Sequence, residues 1–128
     1  MKLRLWVACL VLAALAGCTM APIRNVADAP VVTGSGKPAT LEQVRSSIVR
    51  AGTSLGWVMT PGDPGLVVGR LALRGHVAIV EVRYSAKDYS IKYKDSTNLD
   101  YRDGQIHKNY NGWIENLDRD IRSNMLAV

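Results

Sequence analysis

Residues 66–94, LVVGRLALRGHVAIVEVRYSAKDYSIKYK, decide the fold. Residues 66–74 are branched and apolar, Gly75-His76 makes a tight connection, and residues 77–84 alternate. Residues 85–88 turn, and residues 89–94 alternate again. Ala78, Val80, Val82 and Tyr84 fall on one side of the middle strand, with Val77, Ile79, Glu81 and Arg83 on the other, wetter side. Tyr89, Ile91 and Tyr93 likewise alternate with Ser90, Lys92 and Lys94. Loops this short join antiparallel neighbours, so the stretch reads as a meander with one covered face.

The elements on either side supply the cover. Upstream, Thr40 can cap the first turn of a helix with Gln43 at the capping-box position, and Leu41, Val44, Ile48 and Leu55 form its apolar stripe. Gly52 and Gly56 weaken its end, which is expected near Leu55, and Trp57-Val58-Met59-Thr60 reads as a short strand. Pro61-Gly62-Asp63-Pro64-Gly65 is a loop. Downstream, from His107 onward, Tyr110, Trp113, Ile114, Leu117, Ile121 and Met125 recur at helical spacing, while Glu115, Asp118, Arg119, Asp120 and Arg122 take the other side. The expected fold is α+β: an antiparallel meander of three to four strands with an N-terminal and a C-terminal helix on one face, occupying residues 39–128.

The first 38 residues have a different character. Residues 5–17, LWVACLVLAALAG, carry no charge and follow Lys2 and Arg4. This is the layout of an export signal, and about 13 apolar residues fall short of the roughly 20 that a helix needs to span a bilayer. Loss of residues 1–17 lowers 16 Lys+Arg to 14, against 11 Asp+Glu, so the formal charge falls from +5 to +3. Cys9 leaves with the leader, and Cys18 remains without a disulfide partner. Leu15-Ala16-Gly17-Cys18 resembles the lipobox of bacterial lipoproteins. That resemblance implies cleavage after Gly17, a diacylglycerol on the Cys18 thiol, an acyl group on its amine, and no other cofactor. Thr19 at the next position resembles the signal for the outer membrane, facing the periplasm. Residues 18–38, with three prolines and no period, read as a flexible tether between lipid and domain, the alternative being that their short apolar pieces add an edge strand to the fold.

Known chemistries find little support in the remaining residues. His76 and His107 are the only imidazoles, and no metal-ligand spacing or serine-nucleophile context accompanies them. Lys and Arg are spread over all elements, which argues against a nucleic-acid partner. The densest polar and aromatic run is residues 95–113, DSTNLDYRDGQIHKNYNGW. Ser96, Asn98, Leu99, Tyr101, Gly104, Ile106, His107, Tyr110, Asn111, Trp113, Asn116 and Leu117 resemble a family of small proteobacterial lipoproteins. The run departs from that pattern at Gly112, where a larger, often basic residue is usual. The resemblance implies an envelope location and no particular activity. Two uses of the run stay open. Tyr110 and Trp113 pack inward while the asparagines hydrogen-bond backbone, or Tyr101, Arg102, His107 and Asn111 form a patch for a glycan or protein. The expected role is a membrane-anchored, non-catalytic interaction module of the cell envelope. The alternatives are a binder of peptidoglycan or another envelope ligand and, after it, a small hydrolase.

Overall fold

The computed structural model describes residues 19–128. The leader of residues 1–17 and the lipobox Cys18 lie outside them. In chain order the elements are β1 (Met20–Pro22), β2 (Val26–Pro30), α1 (Leu41–Ser54), β3 (Val58–Pro61), β4 (Leu66–Leu73), β5 (His76–Tyr84), β6 (Asp88–Thr97), β7 (Gln105–His107) and α2 (Lys108–Leu126). Strands β3 to β6 form the meander, and β2 adds a fifth strand beside β6, giving the antiparallel order β2-β6-β5-β4-β3. A separate two-stranded ribbon pairs β1 with β7. The fold is α+β.

Alternation decides which side of the sheet is covered. Val67 and Leu71 of β4, Ala78, Val80, Val82 and Tyr84 of β5, and Tyr89 and Ile91 of β6 are all buried. They share one core with Val44, Ile48 and Ala51 of α1 and with Tyr110, Ile114, Leu117, Ile121 and Met125 of α2. Gly69 keeps the β4 surface low: a Cβ there would lie 3.1 Å from Met59 Sδ and 3.3 Å from the Trp57 ring. Trp57, only 3% exposed, thereby fills the space at the end of α1. Thr40 and Gln43 close the expected capping box, with Gln43 N–H donating to Thr40 Oγ1 at 3.1 Å and Thr40 N–H donating to Gln43 Oε1 at 2.9 Å.

Four details differ from the sequence reading. The sheet has five strands, because residues 18–38 are not a free tether beyond Thr19. Met20 pairs with His107 and Pro22 with Gln105, while Val26 and Ala29 pair with Ile91 and Tyr89 across a bulge. These strands are too short to show a period, and their backbone groups are satisfied from elsewhere in the chain. Tyr93 N–H donates to Asn25 Oδ1 at 3.0 Å, Asp28 N–H to Ser90 Oγ at 2.9 Å, and Val31 N–H to the Lys87 carbonyl at 2.9 Å. Further on, Ser35 N–H donates to the Val128 carbonyl at 3.0 Å. The folded unit therefore begins at Met20 and not at residue 39.

The β4–β5 turn is Arg74-Gly75, with φ of 52° and 78°, and His76 already pairs with Leu73. Two consecutive left-handed residues match the right-handed twist of a hairpin, which moves the turn back by one residue. Leu41, expected on the apolar stripe of α1, is 41% exposed. Asp118, expected on the outer side of α2, is buried. It accepts a hydrogen bond from the Tyr89 hydroxyl at 2.6 Å and pairs with Arg122 at 3.2 Å.

Candidate functional site

One end of the molecule gathers the β4–β5 turn, the 98–104 loop, the β1–β7 ribbon, the end of α1 and the start of α2. Several of the polar and aromatic residues singled out in the sequence meet there. The 98–104 loop is shaped by three residues of suitable chemistry in the left-handed region, Asn98, Asp100 and Asp103, with Gly104 completing the turn. Leu99 plugs this loop into the core, 1% exposed, and its carbonyl accepts from His107 N–H at 2.9 Å.

His76 and His107 face each other, with ring centroids 6.4 Å apart and planes at 26°. The Trp113 indole lies 6.5 Å from the His76 ring. Hydrogen bonding sets the two imidazoles in opposite tautomers. His76 Nδ1 lies 2.7 Å from the Asn98 carbonyl, an acceptor, so Nδ1 carries the proton and Nε2 holds a lone pair. His107 Nδ1 accepts from Asn109 N–H at 3.2 Å as the cap of α2, which puts its proton on Nε2. A metal bound at His107 Nε2 would require loss of that proton while Nδ1 still serves the cap, which neutral imidazole cannot provide. Among the described residues no three His, Cys, Asp or Glu side chains cluster around a common point.

The four residues of the expected patch have different surroundings. Asn111 closes a clasp across the N-terminal segment: its Nδ2 donates to the Pro22 carbonyl and its Oδ1 accepts from Arg24 N–H, both at 2.9 Å. Both halves of its amide are therefore engaged by backbone, and Asn111 is a fastener for β1 and not a free ligand group. Tyr101 is 46% exposed, and its ring stacks on Tyr93 at 4.2 Å. Tyr93 in turn meets Tyr110 edge-on at 5.7 Å, so the three rings run from solvent to core. Arg102 projects into solvent and faces only Asp103, at 3.9 Å. His107 joins His76 and Trp113 as described.

Trp113 was expected in the core, but it is only half buried and lines two adjoining surface clefts. On one side it meets Leu55, Leu71 and Leu73; on the other it borders Asn109, Gly112 and Asn116. A Cβ at Gly112 would meet nothing within 4 Å, so this residue leaves the second cleft open. The i, i+3 step from Tyr110 to Trp113 concealed this position in the sequence, because both belong to the same helical stripe. His76 was missed because it was assigned to a turn. The resulting surface is an aromatic and apolar rim with amides beside it.

Comparison with protein-family models, with curated proteins and with solved structures gives no match.

Proposed function

We propose that this chain is a lipid-anchored protein of the bacterial cell envelope, held at the outer membrane on its periplasmic side, and that its domain is a non-catalytic interaction module. The observation that carries the reading is Leu15-Ala16-Gly17-Cys18 at the end of an uncharged run that follows Lys2 and Arg4. Acyl chains on Cys18 would contribute about 0.8 kcal/mol per buried methylene, so two or three of them hold a protein to a leaflet. No described helix is long and apolar enough to cross a membrane. Attachment then rests with the lipid.

The fold narrows how such a module can meet a partner. Each edge strand of the main sheet ends in proline, Pro30 in β2 and Pro61 in β3, and β2 also carries a bulge with Asp28 at φ 50°. Short, kinked, proline-ended edges resist the addition of a foreign strand. The surface around Trp113 and Leu73 is the better contact. A second reading, an envelope glycan such as peptidoglycan, is favoured by the half-buried Trp113 with Asn109 and Asn116 at its cleft.

Replacing Cys18 by Ser tests the anchor. The wild type is expected to carry acyl mass on Cys18 and no residues 1–17, the variant to carry no acyl mass, and an intact mass of the wild type without acyl groups would contradict the reading. Sedimentation with purified sacculi, lost in Trp113→Ala, would favour the glycan.

A further inference from the structure

With residues 20–22 already paired to β7, only Thr19 separates Cys18 from the first strand. Two residue steps reach at most about 7 Å. A lipid on Cys18 would therefore bring Met20, and with it the β1–β7 end of the domain, against the headgroups. A 20-residue tether would have left the domain free to turn; this linkage does not.

The residues at that end suit such a position. Met20 is opposite His107, the His107 ring is 6.4 Å from His76, and His76 is 6.5 Å from Trp113, so a run of neighbouring rings leads from the first strand to the indole. Leu73 at the tip of the β4–β5 hairpin is 42% exposed and Tyr101 is 46% exposed. Arg74 and Lys108, also exposed, can direct their charged ends to lipid phosphates while their stems lie along apolar surface. Tryptophan beside exposed leucine, with tyrosine and cationic side chains carried by neighbouring loops of the same end, is a composition that settles at headgroup depth.

We infer that the domain lies on the phospholipid leaflet through this end, with Leu73, Tyr101 and Trp113 at the headgroup boundary, so that the leaflet is itself the partner of the surface described above. The inference rests on the anchor reading.

Without its leader the chain holds two tryptophans, buried Trp57 and Trp113. Lipidated protein purified from membranes is reconstituted into vesicles of phosphatidylethanolamine and phosphatidylglycerol that contain a phospholipid spin-labelled near its headgroup. Quenching of the wild type and of Trp57→Phe is expected to be at least roughly twofold stronger than that of Trp113→Phe, as an interfacial indole requires. Protein that carries its lipid, floats with the vesicles and shows equal, weak quenching in all three forms overturns the inference and leaves the anchor reading intact. Protein whose intact mass lacks the lipid and which does not float overturns both.

Discussion

Tyr89 and Tyr110 are both buried phenols, but the structure treats them differently. The Tyr89 hydroxyl donates to Asp118, whereas the Tyr110 hydroxyl, also buried, has no hydrogen-bond partner among the described residues. A buried hydroxyl without a partner costs on the order of 1–3 kcal/mol, while a satisfied one contributes about 1 kcal/mol. Tyr110→Phe should therefore leave stability unchanged or raise it, whereas Tyr89→Phe should lower it by about 1–2 kcal/mol because Asp118 loses its donor. Urea unfolding of the two variants checks this, and a reversed order would refute the packing described. Burial raises both phenol pKa values above the ordinary range, helped at Tyr89 by the bond to Asp118 and at Tyr110 by Tyr93. The folded chain thus keeps two protons that the unfolded chain releases at a pH of about 10. This linkage leaves stability unchanged below that pH and lowers it as pH rises past it, toward the raised pKa values of the folded chain. Phenolate absorbance should show these two tyrosines ionising only as the fold is lost. Ionisation of all five tyrosines near pH 10 with the circular dichroism unchanged would contradict it.

At the scale of elements, Asn111 joins the first strand to the last helix. Asn111→Ala removes two hydrogen bonds that hold residues 22–24. It is expected to cost about 1–3 kcal/mol and to make the chain around Ile23 sensitive to protease while the core stays folded. Uniform destabilisation without local cleavage would show that β1 does not open separately. The same elements explain what could be read in advance. Both helices and the meander follow from strong local signals: a capping box, stripes of four and six apolar residues, and alternation. Strands β1 and β2 leave no such signal, because three and five residues, each run ending in proline, owe their order to partners some 60 to 90 positions away, such as Ser90 with Asp28 and Asn111 with Pro22. The candidate site was half legible for the same reason. The run at 95–113 was visible as a dense polar and aromatic stretch, and His107 and Tyr101 stand at the end it helps to build. The roles of His76 and Leu73 arise only from the hairpin that carries them there.

Across the whole molecule, the ordering of residues 20–30 changes what the proposed anchor would do. A domain on a loose tether would sample the space between membrane and cell wall; one with only Thr19 between Cys18 and its first strand would be held at the membrane surface. Attachment and orientation would then have a single cause. Hydrogen exchange on the mature protein tests this most directly. The amides of Ile23, Val31 and Tyr93, which bond across the N-terminal segment, should exchange at least about a hundredfold more slowly than unstructured chain, as those of paired strands do. Exchange of Ile23 and Val31 at the unprotected rate, with the β4–β6 amides still protected, would return residues 19–38 to a tether and contradict the account.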